Sequence, residues 1–197
     1  MVMDLPEASD AWLVERLREN NLDALGVLFD RYYAQVCRTA AAITRDSAAA
    51  DDIAQDCFLR LHRYANRIDT SLPLAPWLYR VTVNLSYTWV TRHYQRRVSL
   101  EMVVDFLTSP ARCAPDVLAE RAHVRDEVRQ AISALSFNQR VVVVLYYLNG
   151  LSLEEIADTL KCPVGTVKSR LYYARENLRR RLGSVYEEPL IAHGYAE

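Results

Sequence analysis

Residues 149–182 read NGLSLEEIADTLKCPVGTVKSRLYYARENLRRRL, and their pattern predicts two helices joined by a tight turn. Ser152 and Glu155 have the spacing of a capping box, in which each side chain accepts a backbone N–H of the other residue. The first helix is expected over about 153–160. Pro163 suits the first position of the second helix, because its missing N–H has no partner there. Apolar residues then recur at three- and four-residue steps, so one stripe is buried: Val167, Leu171, Ala174, Leu178 and Leu182.

The second helix of this pair is strongly basic. From Lys161 to Gly183 the chain has seven Lys or Arg residues and one acid, a local balance of +6. A helix-turn-helix with donors and cations on its second helix has the shape that enters a DNA major groove, and neutralised phosphates drive sequence-independent affinity. The alternative is a helical hairpin with a solvated basic end. Capping box, tight turn, proline start and one-sided charge together favour DNA binding.

The composition indicates a helical protein of one or two domains. The chain has 197 residues, only five of them glycine, and a formal net charge of −1, so it is no uniformly basic nucleic-acid coat. Its four cysteines are far apart and lack metal-ligand spacing, and the sequence has neither a signal peptide nor an apolar run of membrane length. We therefore expect a cytoplasmic protein with reduced thiols, no metal and no cofactor.

The apolar spacing predicts helices along most of the chain. They are expected at 11–19, 22–44, 47 or 48 to about 64, 77–97, 116–135 and 137–148, the last of them capped by Ser136. Residues 65–76 contain two prolines and are expected to form a loop. The predicted fold class is all-α, with two small helical domains joined by a flexible linker and the helix-turn-helix in the second. The boundaries are 8–97 for the first domain, 98–115 for the linker, 116–183 for the second domain and 184–197 for a C-terminal tail.

Two of the predicted helices have distinctive outer faces. The helix ending near residue 64 begins acidic and ends basic, an order that suits the helix dipole. From Arg80 to Arg97 the next helix has four arginines, no acid and several interleaved aromatic residues. Aromatic and arginine side chains together can hold unstacked bases. A core helix with a solvated basic end accounts for that composition equally well.

Three stretches of the sequence together resemble the extracytoplasmic-function (ECF) group of bacterial sigma factors, which keep only regions two and four of the larger sigma factors. DDIAQDCFLR at 51–60 is similar to region 2.2, PWLYRVTVNL at 76–85 to regions 2.3 to 2.4, and PVGTVKSRL at 163–171 to region 4.2. The resemblance implies a protein that is not an enzyme. It binds core RNA polymerase, directs it to promoter DNA and opens the −10 element. It also implies an anti-sigma factor as partner, of a kind that is often membrane-anchored.

The resemblance also assigns roles to residues by position. The clamp coiled coil of the largest polymerase subunit would be bound by Asp52, Gln55, Asp56, Phe58 and Leu59. The −10 element would be read or held by Arg80, Asn84, Tyr87, Thr88, Arg92 and His93, and loop 65–76 would capture a flipped base. The −35 element would be read by Thr166, Lys168, Ser169, Tyr172, Tyr173 and Arg175. Two roles remain for Arg170: a contact with DNA, or an ion pair with Glu154 or Glu155 inside the domain.

The sequence departs from the family pattern at two places near these DNA contacts. Thr88 and Trp89 stand where many members have an acidic and then a basic residue, and Tyr173 stands where they often have Arg or His. The promoter sequence therefore cannot be transferred. The alternative function is a dimeric helix-turn-helix regulator at an operator, which shares 150–182 but gives no role to 51–60 or 77–97. No catalytic residues are predicted, because the four histidines are isolated and no nucleotide-binding motif is present.

Overall fold

The computed structural model of the protein describes residues 8–100 and 127–183, and these two ranges contain helices and turns but no strand. The helices are α1 (Asp10–Arg18), α2 (Leu22–Thr44), α3 (Ser47–Tyr64), α4 (Leu74–Leu100), α5 (127–133), α6 (Phe137–Val143), α7 (Leu153–Leu160) and α8 (Val164–Leu182). A 3₁₀ turn (Ala65–Arg67) follows α3, and a π-helical turn (Val144–Leu148) continues α6. The all-α prediction is confirmed.

Side-chain caps fix where most of these helices begin. The first four N–H groups of a helix lack partners within it, and a cap satisfies one of them. Ser9, Asn21 and Asp46 cap α1, α2 and α3 in this way. At the start of α7 the predicted capping box is present: the Ser152 hydroxyl accepts from the Glu155 N–H at 3.2 Å, and the Glu155 carboxylate accepts from the Ser152 N–H at 2.8 Å.

Several predicted helix boundaries were wrong by one to three residues, among them the two that involve prolines. α4 begins at Leu74, three residues before the predicted start, because Leu74 is only 3% exposed and packs into the core. Pro76 then lies in the first turn, where no intrahelical N–H bond is lost. Pro163 is the cap residue before α8 and not its first helical residue, and its carbonyl accepts from the Thr166 N–H at 2.9 Å.

Some predictions concern residues outside the described ranges. These are most of the linker 98–115, the start of the second domain and the tail 184–197. Of the linker, residues 98–100 belong to α4. The domain boundaries stay a prediction.

The first domain, α1 to α4, has a continuous apolar core. Its largest fully buried side chains include Leu13, Leu17, Leu28, Leu61 and Leu78, one or more from each of the four helices. Cys57 is also buried here, and burial raises the pKa of its thiol to about 12. That thiol is therefore neutral at physiological pH and acts as a small apolar side chain.

The second domain, α5 to α8, packs around the helix-turn-helix. Gly150 adopts a φ of +70° between the π-helical turn and α7, a conformation that glycine accepts without steric cost. Val142, Leu145, Ile156 and Val167 are almost fully buried. The same cluster includes three residues of the first domain, Ile43, Tyr79 and Val83, so the two domains are in contact.

Two further properties apply to the described residues. None of their helices is both long and apolar enough to cross a membrane. They also contain no group of three or more His, Cys, Asp and Glu side chains that could hold a metal ion.

Candidate functional surfaces

The outer side of α3 presents acidic side chains and one large apolar side chain to solvent. Asp52, Gln55 and Asp56 are exposed, and Leu59 is 64% exposed. We call these four residues the acidic face. Exposure of the apolar Leu59 side chain to water is unfavourable in the free protein. Together with the carboxylates, this side chain suits contact with a basic protein surface that has an apolar spot.

Phe58 was assigned wrongly to the same face. Its side chain is 3% exposed, and its ring lies 4.9 Å from that of Phe29 in the core of the first domain. Positions 58 and 59 lie on different sides of α3, one buried and one exposed, because consecutive residues on a helix are about 100° apart. Phe58 therefore packs in the core beneath the acidic face.

Most residues predicted to contact −10 DNA lie along one side of α4. Asn84, Tyr87, Thr88 and Arg92 are exposed, and their spacing of three and four residues puts them in one row with Arg80. We call this row the α4 face. The Thr88 hydroxyl donates to the Asn84 carbonyl at 2.9 Å, which orients it along the helix. The row offers amide, hydroxyl, aromatic and guanidinium groups, which suit contacts to bases and phosphates.

His93 lies at the edge of this row and is half-buried. Its ring stacks on Trp89 with centroids 3.9 Å apart, and its Nδ1 lies 3.1 Å from the Trp89 carbonyl oxygen. Trp89, one of the two departures from the family pattern, therefore holds His93 against the helix. Only the remaining edge of the imidazole is available to a ligand.

Two members of the α4 face are bound by the second domain. The guanidinium of Arg80 donates through Nε to the Thr159 carbonyl at 3.1 Å and through Nη2 to the Asp158 carbonyl. The ring of Tyr87 makes an edge contact with Phe137, with centroids 5.4 Å apart. Sequence reasoning gave no sign of these contacts, because they join residues 50 or more positions apart.

The predicted base-capturing loop is held in place by α1. Arg18 donates through Nε to the Ala65 carbonyl at 3.1 Å and through Nη2 to the Ile68 carbonyl at 2.6 Å. Glu15 accepts from the Thr70 hydroxyl at 3.0 Å and pairs with Arg18 at 2.7 Å. Sequence reasoning missed the contact between Arg18 and this loop. An arginine in the last turn of an amphipathic helix gives no signal that it binds a distant loop.

The loop also has an internal hydrogen-bonded turn at its tip. The Asp69 carboxylate accepts from both the Ser71 hydroxyl and the Ser71 N–H, at 2.6 and 3.0 Å. These bonds, with that from the hydroxyl first, lower the pKa of the Asp69 carboxyl. The side chain of Leu72 then points into solvent, 64% exposed. The tip is thus ordered before any ligand binds.

The exposed side of α8 carries the predicted −35 contacts. Lys168, Ser169, Tyr172 and Tyr173 are exposed, and we call them the α8 face. The two tyrosine rings meet edge to face with centroids 5.4 Å apart. Thr166 is half-buried at the start of the helix. Of the predicted buried stripe of α8, Val167, Leu171 and Ala174 are buried, whereas Leu178 and Leu182 are half-buried.

Two arginines of α8 have surroundings that bear on their predicted roles. Arg175 donates through Nε to the Tyr147 hydroxyl at 2.8 Å, and its guanidinium lies over the rings of Tyr146 and Tyr147. Arg175 therefore fastens α8 to the π-helical turn, and a phosphate contact competes with these bonds. Arg170 forms no ion pair with Glu154 or Glu155 within the described residues, and the Glu155 carboxylate instead caps α7.

Comparison with known proteins identifies the class of protein to which these surfaces belong. A family model for sigma-70 region 2 matches residues 28–97, and one for sigma-70 region 4 matches residues 125–178. The chain is 32% identical to the ECF RNA polymerase sigma factor SigW of Bacillus subtilis over 177 residues, which covers 86% of this chain and 94% of the relative. It is 29% identical to the sigma-E factor of Escherichia coli over 194 residues, covering 94% and 97% of the two chains.

The chain therefore belongs to the family of ECF RNA polymerase sigma factors. These are transcription initiation factors. The alternative of a dimeric operator-binding regulator is not favoured, because it leaves the region 2 match without a role.

Solved structures support the fold at the level of the backbone. CnrH in complex with the cytosolic domain of CnrY matches with a TM-score of 0.65 and 22% identity, covering 90% of this chain and 99% of CnrH. RpoE of Bartonella quintana, in complex with the anti-sigma factor NepR, matches with a TM-score of 0.66 and 20% identity over 80% of this chain and 96% of that one.

Proposed function

We propose that this sigma factor binds core RNA polymerase through the acidic face of α3, the melted −10 strand through the α4 face and loop 65–76, and −35 DNA through the α8 face. The observation that carries the proposal is that three different helices present exposed polar faces at the positions matched by the family. A helix whose only task is packing has no need of an exposed leucine among carboxylates or of paired exposed tyrosines beside a lysine. The chain itself is the specificity subunit and performs no chemistry.

Promoter opening in this proposal is driven by binding energy. Extruding and unstacking a base costs a few kcal/mol, which contacts to the flipped base must offset. The loop at 65–73 is already ordered by Arg18 and by the Asp69 turn, so little conformational entropy is lost when it receives a base. Asn84, Thr88 and Arg92 then follow along α4 and hold the strand.

An anti-sigma factor is the expected antagonist. Both structural relatives named above were solved with such a partner or with a cytosolic domain of another protein bound. The large exposed apolar side chains of this chain, Leu59 and Leu72 among them, would suit such a partner. We include in the proposal that the antagonist is membrane-anchored, as it often is in this family, and that the sigma factor acts in the cytoplasm.

The first test is transcription from fragmented genomic DNA of the source bacterium with its purified core polymerase. With the chain added, we expect a set of transcripts whose start sites share upstream −35 and −10 motifs. Asp56→Arg should remove polymerase binding, because it places a cation against a basic partner, while circular dichroism stays unchanged. Asp30→Arg is the matched control, since Asp30 is an exposed acid on α2 outside the acidic face. Equal binding by the wild type and Asp56→Arg would refute the assignment of α3.

A second test separates the two domains. Lys168→Ala should weaken binding to a −35 duplex from a mapped promoter and reduce the dependence of log K on log salt by about one unit, as expected for one lost phosphate contact. Polymerase binding should not change. If the variant instead loses polymerase binding and keeps its DNA affinity, the two surfaces have been assigned in reverse.

A further inference from the structure

The π-helical turn (Val144–Leu148) presents two large side chains to solvent beside α8. Tyr147 is 52% exposed and Leu148 is 45% exposed. The turn is one residue wider than an α-helical turn, because the Asn149 N–H donates to the Val144 carbonyl, five residues back, at 3.2 Å. Turns of this kind are rare and lie frequently at functional sites. The exposed side chains of this turn are therefore candidates for binding.

Tyr147 is joined to a row of α8 that carries three of the predicted −35 contacts. The row consists of Lys168, Tyr172, Arg175 and Arg179. Because these residues are three or four positions apart, they lie along one side of the helix. The Arg175 Nε–H donates to the Tyr147 hydroxyl at 2.8 Å. The π-helical turn therefore borders this side of α8, and Tyr147 is the side chain that meets it.

The hydrogen bond from Arg175 leaves the Tyr147 hydroxyl with a free donor. A phenolic hydroxyl both accepts and donates. Its oxygen here accepts from Arg175, and the described residues contain no acceptor within hydrogen-bonding distance of its proton. Because Arg175 is a cation, it polarises the hydroxyl and strengthens the bond that the hydroxyl can donate. The missing partner of Tyr147 is therefore an acceptor, and an anionic acceptor gains most.

The charge beside this hydroxyl is held in place by two aromatic rings. The guanidinium carbon of Arg175 lies 5.5 Å from the centroid of the Tyr146 ring and 5.7 Å from that of Tyr147. The two rings meet edge to face, with centroids 4.9 Å apart. Cation–π contacts add to the hydrogen bond in fixing the arginine. An anion at the Tyr147 hydroxyl is thus also close to a positive charge that loses little conformational entropy on binding.

We propose that Tyr147 is a further contact of the second domain with promoter DNA, and that its hydroxyl donates to a phosphate oxygen at the edge of the −35 element. This inference rests on the role proposed above for the α8 face. Tyrosine hydroxyls are among the groups that donate to DNA phosphates, and such contacts fix the register of a protein on the duplex without reading its sequence. Arg175 acts as a positioning residue, which orients the hydroxyl and adds positive charge beside the phosphate.

The alternative is that Tyr147 only holds Arg175 in place. Tyr147→Phe separates the two roles, because it removes the hydroxyl and keeps the ring. If the hydroxyl donates to a phosphate, affinity for a −35 duplex falls by about three- to tenfold. The slope of log K against log salt then stays the same, because no charge is lost. If the hydroxyl only holds Arg175, its loss releases a guanidinium, so affinity stays equal or rises and the slope steepens by up to about one unit.

The decisive measurement combines this variant with a change in the DNA. In a −35 duplex from a mapped promoter, each phosphate in and next to the element is replaced in turn by an uncharged methylphosphonate, and binding of the full chain is measured. At one position the replacement should weaken the wild type by about three- to tenfold more than Tyr147→Phe, since the variant has already lost that contact. Tyr64→Phe is the matched control, because Tyr64 is an exposed tyrosine of α3 in the first domain. It should respond to every replacement as the wild type does.

The same scan is repeated with Arg175→Ala and with the double variant that also carries Tyr147→Phe. In these chains a released arginine cannot replace the lost hydroxyl, and the same phosphate should again distinguish them. If no phosphate distinguishes chains with and without the hydroxyl in either background, the assignment of Tyr147 is overturned, whatever the affinities.

Failure of the proposed function looks different. In that case Lys168→Ala binds the −35 duplex as the wild type does, or the wild type with core polymerase gives no promoter-dependent transcript. If Lys168→Ala behaves as expected and the phosphate scan does not, the α8 face keeps its role and Tyr147 has none.

Discussion

Arg18 shows how a single side chain connects α1 to the loop between α3 and α4. Its guanidinium reaches two backbone carbonyls of the segment that follows α3, and its charge is balanced by Glu15 on the same helix. The loop between α3 and α4 has few apolar contacts of its own apart from Ile68 and Leu74. Its conformation therefore depends on hydrogen bonds from α1.

Arg18→Ala should impair promoter opening and leave polymerase binding intact. Hydrogen bonds from a charged donor contribute about 1.5–3 kcal/mol each, so the loss of two lets the loop sample other conformations. We expect the fraction of open complexes at a mapped promoter to fall by about tenfold, measured by permanganate reactivity of the melted thymines. Arg16→Ala is the control, because within the described residues the Arg16 guanidinium contacts Glu19 and Trp12, which lie in or next to α1, and not the loop. An equal defect in both variants would show that the loop anchor is unimportant.

Single residues also mark the limit of what the sequence can predict about the surfaces. The exposed members of the three faces could be found from helical spacing, which fixes the side of a helix on which a residue lies. The burial of Phe58 could be found in the same way, whereas the contact of Arg175 could not. Phe58 was carried over with its neighbours although its own spacing places it in the core. Arg175 is on the outer side of α8, and its hydrogen bond to Tyr147 depends on the π-helical turn. No sequence pattern predicts that turn.

At the scale of elements, the helices were predicted well where local signals agree. α2, α3 and α7 have the predicted bounds, because apolar periodicity and an N-terminal cap coincide at each. The start of α4 was placed at residue 77 because a proline was taken as the boundary. The burial of Leu74, which is a tertiary contact, extends the helix past that proline in the N-terminal direction.

Ser152→Ala tests the contribution of a local cap to the helix-turn-helix. Loss of an N-cap hydroxyl typically costs about 1 kcal/mol, because the Glu155 N–H loses its partner. We expect hydrogen exchange of the α7 amides to become roughly fivefold faster, measured by mass spectrometry on the full chain. Ser133→Ala is the control, since the Ser133 hydroxyl only donates back to Gln130 within α5. Unchanged exchange in α7 would mean that packing alone fixes the start of this helix.

At the scale of the whole molecule, the relation between the two domains could not be predicted. The pattern of apolar residues along the sequence predicts which face of a helix is buried. It does not predict which other element covers that face. The carbonyl groups bound by Arg45, Arg80 and Arg140 belong to helices 78 to 97 residues away. Backbone carbonyls at helix ends are present in every helical protein, so no pairing of residue types reveals such contacts.

The number of chains on a promoter distinguishes the family assignment from the operator-binding alternative. We expect light scattering to show one 22.6 kDa chain on a −35 duplex, because a single α8 face reads one element. Mutual contact between the domains already covers Ile43, Tyr79 and Val83, which leaves these residues unavailable for dimer formation. Two chains on a palindromic duplex, bound with higher affinity than one, would contradict this stoichiometry.

The position of α1 has a practical consequence for dissecting the molecule. The span shared with region 2 of other sigma factors begins at residue 28, whereas Leu13, Val14 and Leu17 of α1 are fully buried in the first domain. A fragment trimmed to the shared span would lack these three side chains and would expose the core against which they pack. The lost burial would reduce the free energy of unfolding by about 1.5–3 kcal/mol for each side chain. The fragment would also lose the hydrogen bonds from Arg18 to the loop between α3 and α4. Work on the isolated first half should therefore start upstream of Ser9, the residue that caps α1.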